Sequence, residues 1–565
     1  MQTMKTNLLF IGVALTLSSC SLLSGPAQTS VTIIGVNDFH GNILPTSFRV
    51  PDPADRTKTQ TVQAGGIEAI GGVLAEARKA NPNTVFVGVG DMTGASPLIS
   101  GLLRDEPSID ALTKLGMAVN VVGNHEFDYG FSELQRYQTG GCNSNDAAKA
   151  CKYNTTFAGA GFTYVAANVV DEKTGKTVLP AYKMVTVGGA KIAFVGAVLK
   201  ETPTVVTPAG VAGLRFEDEV ASINAAIPDI KRNGADAIIA LVHQGGASPD
   251  AFDIVDCKTL SGSIVDIARK LDSSISAIMT GHTHRGYNCV VPGPNGANRV
   301  VIQGDAYGHL LQRLDLTIDT RANKVLALKS SNVVVNAATA PKDAAMTAIV
   351  QKAKALTDPL AQQPVGTLGV EQITRAQNPA GESGLGNVIA DSQLAATRAA
   401  DRGGAVIALM NPGGIRADLP VNVPNPDKKV TYGDAFTVQP FGNILSVLTL
   451  TGAQLKDVLE QQFDNPAVGQ NRILQVSQGF TYTWDNSKPK GEKVSALVLN
   501  GTPIDPAANY RVAVNNFLAD GGDGFTTFRQ GKDLIGGDLD IDAFRAYLQS
   551  STISAPAVGR ITRLN

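Results

Sequence analysis

"VTIIGVNDFH", residues 31–40, is a run of aliphatic and β-branched side chains that stops at an aspartate and a histidine. Its apolar part does not alternate with polar residues, as a strand covered on one face would. Continuous runs of this kind suit strands buried on both faces. The pattern recurs in "TVFVGVGD" (84–91), "AVNVVGNHE" (118–126), "YVAANVV" (164–170), "KIAFVGAVL" (191–199), "AIIALVHQ" (237–244) and "AIMTGHTH" (277–284). Segments with helical spacing lie between, such as "GGIEAIGGVLAEARKA" (65–80) and "EVASINAAIPDIKRNG" (219–234). Strands alternating with helices predict an α/β domain with a largely parallel sheet. In such sheets ligands sit beyond the carboxyl ends of the strands.

Those ends carry the chemistry. They deliver Asp38 and His40, Asp91, then Asn124, His125 and Asp128, then His243, and finally His282 and His284. Five of the six histidines in the chain therefore stand at strand ends, and none follows residue 309. Structural histidines have no reason to partition this way. The sixth, His309 in "AYGHLL", is read as structural. Imidazole suits zinc, iron, manganese or cobalt, and carboxylate and amide oxygens suit harder ions. In "DFH" and "HTH" the paired residues are two apart, so an extended backbone would point both the same way.

The motifs "NDFHGN", "GDMTGASPL", "GNHEFDYG", "LVHQGG" and "TGHTH" resemble, in order and type, those of the calcineurin-like metallophosphoesterases. The resemblance implies two sheets flanked by helices and a site for two divalent metal ions, zinc, manganese or similar. Asp38, His40 and His284 would hold one ion. Asn124, His243 and His282 would hold the other, and Asp91 would bridge them. Some relatives carry glutamine at the place of His284, which makes that ligand the looser one. His125 resembles the histidine that assists the leaving group, with Asp128 orienting its ring by the logic of a catalytic dyad. A two-metal centre polarises a phosphoryl oxygen and supplies hydroxide near neutral pH.

A chain of 565 residues is too long for one core. "RLDLTIDTRANKVLALKSSNVVV" (313–335) reads as a closing antiparallel hairpin, and "KDAAMTAIVQKAKALTDPLA" (342–361) as a helix joining two domains. The expected organisation is a catalytic domain at 31–338, a helical connector at 339–364 and a smaller α+β domain at 365–565. In that last part "ESGLGNVIAD", "NPGGIRADL", "VQPFGNIL" and "NNFLADGGDGF" resemble the C-terminal domain of the 5′-nucleotidases, a family that includes UDP-sugar hydrolases. The resemblance implies a nucleoside site in which Phe441 and Phe517 sandwich the base while Asn411, Arg416 and Asp523 hold polar groups. Pro412 stands where relatives often have glycine, and Arg398 is a further position weighed as a phosphate contact.

The N-terminus, "MQTMKTNLLFIGVALTLSSC", has a lysine, a short apolar run and small residues before Cys20. The run is too short to span a bilayer comfortably and reads as an export signal. "LSSC" resembles a lipobox, which would make Cys20 a lipidated N-terminus followed by a tether at 21–30; a plain signal peptide is the alternative. Ser21 points to the outer membrane, as a periplasmic or cell-surface lipoprotein. Four cysteines remain, an even number that suits disulfides in an exported chain. Three pairings are possible, and Cys142–Cys151 with Cys257–Cys289 is the expected one. The net charge of −2 gives no electrostatic case for a nucleic-acid partner or an acidic membrane surface. The reaction expected is phosphate release from nucleoside 5′-phosphates, with nucleotide sugars as a possible extension. Alternatives on the same site are 2′,3′-cyclic nucleotide phosphodiesterase and thiosulfohydrolase. A nucleotide-capturing lipoprotein without catalysis is a third.

Overall fold

The computed structural model describes residues 28–206, 208–554 and 556–565. The export signal, Cys20 and the tether as far as residue 27 lie outside the described residues. Residues 28–30, expected in the tether, already belong to the first strand, Gln28–Val36.

That strand lies inside a six-stranded sheet. It pairs in parallel with Thr84–Val89, which pairs in parallel with Met117–Val121. On its other side it pairs antiparallel with Leu310–Asp319, which forms the expected hairpin with Lys324–Val334. A second six-stranded sheet has Ala190–Val198, Ala237–His243, Ile275–Thr280 and Asn298–Gln303 in parallel and antiparallel strands at both edges.

Period-two geometry explains why the runs are apolar throughout. Ile33, Val87 and Val121 face the other sheet and meet Phe194, Ile239 and Met279. Their chain neighbours Ile34 and Val36 face the opposite way, into a core made with the helices Ile67–Ala80 and Glu106–Lys114. On the far sheet Ile238, Ala240 and Val242 pack against the helices Glu219–Arg232 and Ser263–Lys270. The result is four layers, helix–sheet–sheet–helix. Gly35 lets the sheets approach: a Cβ there would lie 2.3 Å from the Met279 methyl.

The connector helix, Ala344–Ala361, is capped by Asp343, whose carboxylate accepts from the Ala345 and Met346 N–H groups. Met346, Ile349, Val350 and Ala353 are buried in the helix-side core of the first domain. Burying each large side chain contributes on the order of 1.5–3 kcal/mol. The connector is therefore a docked part of the first domain and not a free spacer.

The second domain has a five-stranded sheet in the order Gln475–Val476, Ile407–Met410, Asn509–Asn515, Ile444–Thr451 and Lys532–Leu539. A four-stranded sheet and the helices Gly384–Thr397, Gly452–Glu460 and Asp540–Ser550 complete an α+β unit. Both expected disulfides form, Cys142–Cys151 and Cys257–Cys289.

Candidate metal centre and nucleotide cavity

The loops after the parallel strands converge at one end of the two sheets. They bring side chains of Asp38, His40, Asp91, Asn124, His243, His282 and His284 together. Three overlapping groups have ligand atoms mutually within 4.8 Å: Asp38, His40 and His284; His40, Asp91 and His125; Asp91, His243 and His282. Asp91 and His40 each belong to two of them. His282 Nδ1 and Asn124 Oδ1 lie 3.0 Å apart. His284 Nε2 lies 3.3 Å from Asp38 Oδ1.

The backbone reaches this arrangement differently from the expectation. Asp38, His40, Asp91, His282 and His284 all have positive φ. "DFH" and "HTH" are not extended; each alternates into the left-handed region. The strands have already ended at Val36 and Thr280. Beyond them the chain is held by loop-to-loop bonds, Asp38 N–H to Gly90 C=O at 3.0 Å and His40 N–H to Asp91 C=O at 2.9 Å. Left-handed backbone costs roughly 1–2 kcal/mol per non-glycine residue, and strain of this kind gathers at functional sites.

Outer contacts fix the rings. His40 Nδ1 donates to Gly94 C=O and His243 Nδ1 to Val89 C=O, both at 2.8 Å. Their Nε2 lone pairs are thereby left for the cluster. His243 Nε2 is buried and lies 3.0 Å from Asp91 Oδ2. Burial works against charge on His243, yet the Asp91 and Asp38 carboxylates pull it up to about 10. This corner is built to hold positive charge. His282 is pushed down to about 3 by burial and by His243, which keeps its ring a neutral donor. His284 is 25 % exposed while Asp38 and His40 have no exposed surface, in keeping with a looser position.

Glu126 was not singled out from the sequence. Its buried carboxylate accepts from the N–H groups of Asp91, Met92 and Gly123 at 2.8, 2.7 and 2.5 Å. It thus staples the Asp91 loop to the loop carrying Asn124. Burial and the charge of Asp91 push it up to about 7, a cost that cations beside Asp91 would relieve. The only signal in the sequence was its place inside "GNHEFDYG".

His125 holds Asp128 through Nδ1, at 2.8 Å from Oδ2. Burial disfavours its imidazolium, but Asp128 and Asp91 more than offset this and its pKa is raised. Across from it stands the second domain. The Phe441 ring stacks on His125 with centroids 5.9 Å apart and planes 21° from parallel. Between the domains is a cavity of about 230 Å³ lined by Asn124, His125 and His282 on one wall and by Phe441, Phe517 and Asp523 on the other.

Both rings are half-buried. Phe517 lies over the backbone of Gly522, where a Cβ would come within 2.5 Å of the ring. Asp523 accepts from Arg472 and from Asn411 Nδ2. Asn411 is 3 % exposed, and its Oδ1 accepts from Asn515. It lines the cavity, and its amide also braces Asp523. Pro412 also lines the cavity and opens the short turn Pro412–Gly414. Arg416 lines both this cavity and the mouth above Asp91, His125 and His284, where Arg375 joins it. Arg398 lines neither; Arg285, Arg375 and Arg472, unmarked in the sequence, are the further guanidinium groups. His309 is engaged at both nitrogens, by Asp305 at 2.9 Å and Thr46 at 2.6 Å.

A family model described as calcineurin-like phosphoesterase matches residues 31–286, and one described as 5′-nucleotidase, C-terminal domain, matches residues 364–530. The chain belongs to the 5′-nucleotidase family. It superposes on the crystal structure of a 5′-nucleotidase precursor from Thermus thermophilus with a TM-score of 0.77 at 28 % identity, covering 95 % of this chain and 100 % of that one. It is 32 % identical over 522 residues to endonuclease YhcR of Bacillus subtilis (strain 168), covering 92 % of this chain but only 39 % of that protein. A cell wall protein of Listeria monocytogenes is 29 % identical, with 97 % of this chain and 71 % of that protein covered. By fold and family this 5′-nucleotidase-family chain is a metal-dependent phosphoester hydrolase.

Proposed function

We propose that the chain is an exported phosphohydrolase that releases phosphate from nucleoside 5′-phosphates, with two divalent cations at the strand ends. One observation carries this reading: a single cavity joins the histidine–carboxylate cluster to two half-buried aromatic rings. Stacking is worth about 1–3 kcal/mol per base and tolerates every base.

The donor set fits two cations. Asp38, His40 and His284 would hold the first, Asn124, His243 and His282 the second, and Asp91 both. The buried Nε2 of His243, set against the Asp91 carboxylate, and the oriented rings of His40 and His243 support the assignment. When bound, such ions polarise a phosphoryl oxygen and make water acidic enough to attack phosphorus. The chain's own groups supply the rest. His125, oriented and kept protonated by Asp128, stands where it can give its proton to the leaving oxygen. Arg416 and Arg375 at the mouth neutralise phosphate charge. Phe441 and Phe517 hold the base, and Asp523, an acceptor only, suits the sugar hydroxyls. Binding energy from the remote base helps position the phosphate.

Export is supported by the apolar N-terminal run and by two disulfides, which persist in oxidising compartments. The names of the relatives, a precursor and a cell wall protein, point the same way. Lipidation of Cys20, with an outer-membrane anchor, is part of the proposal. Mass spectrometry finding a mature N-terminus downstream of Cys20 would remove the anchor and leave export standing.

The test is a hydrolysis panel of AMP, UDP-glucose, 2′,3′-cyclic AMP and an aryl phosphate, with and without chelator and added metals. AMP should be the best substrate and chelator should abolish its turnover. Equal kcat/KM for AMP and aryl phosphate, or turnover that survives exhaustive chelation, would overturn the reading.

A further inference from the structure

Asn443 edges the cavity two residues after Phe441, and its amide is not free to turn. Asp540, 97 residues further on, opens the helix Asp540–Ser550 and is 1 % exposed. Its Oδ2 accepts from Asn443 Nδ2 at 3.1 Å. Its Oδ1 accepts from the Ile541 N–H at 2.7 Å. Its own N–H donates to Asn443 C=O at 2.7 Å. Backbone and side chain of Asn443 are thus both clamped to one helix start.

A carboxylate has acceptors and no proton to give. Ionised Asp540 therefore draws the NH₂ end of Asn443 toward itself, and the carbonyl is the end left for a ligand. We propose that Asp540 is a positioning residue for base preference: by fixing the Asn443 amide it makes the cavity select bases with an exocyclic amino group, adenine and cytosine, over their keto counterparts, hypoxanthine and uracil. The inference rests on the reading that this cavity takes a nucleoside. Stacking cannot make the distinction, because the paired bases have nearly the same flat faces. The edge can. The exocyclic atom projects furthest from the ring; an amino group there donates to the carbonyl, and a keto oxygen opposes it. A buried polar group left facing a like partner is penalised more than a merely absent contact.

Burial pushes Asp540 up to about 7, with the neighbouring Asp542 adding to the rise. Assays about one pH unit above that value keep it ionised. The experiment measures kcat/KM for AMP, IMP, CMP and UMP on the full chain and on Asp540→Asn. An asparagine at that place can donate as well as accept, so the Asn443 amide is released to invert. Turnover of an aryl phosphate, which has no base, controls for folding. The wild type should prefer AMP to IMP and CMP to UMP by about 10-fold. In Asp540→Asn both ratios should fall at least about fivefold, through KM with kcat kept. Asn443→Ser should collapse the same ratios, and adding Asp540→Asn to it should change them no further. Ratios unmoved in Asp540→Asn, or effects of the two substitutions that simply add, would overturn the inference while leaving the nucleotidase reading intact. A wild type with no advantage for nucleotides over aryl phosphate would overturn both.

Discussion

The first domain holds its cluster with Asp38, His40 and His243 at no exposed surface, each ring tied through Nδ1 to a backbone carbonyl. The second domain offers Phe441 and Phe517 half-buried, the first on a bend before Gly442 and the second in the short helix Asn516–Ala519. One wall of the cavity is over-determined and strained, and the other is lightly held and flat. The difference follows from the tasks. Charge developing at phosphorus is stabilised only by groups already in place, because reorganisation during the reaction would raise the barrier. Holding a base needs area more than exact placement.

The comparison is broken most severely at Asp91. Asp91→Asn should lose metal and lower turnover of every substrate by at least about 10³-fold. Metal analysis together with near-normal turnover would contradict the bridging role. His125→Ala tests the same wall at a residue that lies against the cluster but is assigned to the leaving group: metal content should hold while the rate falls by about 10²–10⁴-fold. Loss of metal in that variant would move His125 from the leaving group to the ligand set.

The rings were expected to behave alike, and the geometry separates them. Phe441 stacks on His125, whereas Phe517 lies over Gly522. Phe517→Ala should weaken AMP by about 5–150-fold, the kinetic equivalent of one stacking contact, and spare aryl phosphate. Phe441→Ala should disturb His125 as well and reduce both substrates. Identical substrate profiles for the two variants would erase this distinction.

Asp128→Asn probes the link between the walls by pH. His125 has a raised pKa, so its protonated form persists to higher pH than that of a free imidazole and is lost as pH rises through the raised value. Removing the Asp128 carboxylate lowers it. The alkaline limb of kcat should move to lower pH, with a loss of about 10-fold or less near neutrality. A limb that stays in place would show that another group controls it. The smallest effect is expected from Gly522→Ala. Its Cβ would push the Phe517 ring, raising KM for AMP a few-fold with little change for aryl phosphate. Equal loss on both substrates would point to unfolding of the loop.

Much was legible before any coordinates. Six of the seven continuous apolar runs became strands with one face toward the other sheet and one toward helices, because alternate side chains of a doubly covered strand are all buried, whereas "YVAANVV" broke into the short strands Thr163–Val165 and Val169–Asp171, which lie in different sheets. The residues that interrupt those runs, Asp38, His40, Asp91, Asn124, His243, His282 and His284, were conspicuous because polar groups at such places cannot serve a core. The disulfide pairs could be anticipated from an even cysteine count and one polar loop. These are local properties, written in neighbouring residues.

Tertiary structure decided the rest. Left-handed backbone at the cluster comes from bonds between loops distant in sequence, such as His40 N–H to Asp91 C=O. Glu126 looked like one more acidic residue until the fold placed three N–H groups around it. Asn411 also holds Asp523 and Asn515, and Asn443 and Asp540 proved a clamp, because a polar side chain's partners are set by what the fold brings within reach. The meeting of His125 with Phe441 required two domains to close on one cavity. Local sequence sets backbone preference and burial, whereas the convergence of side chains is set by how the separate elements pack.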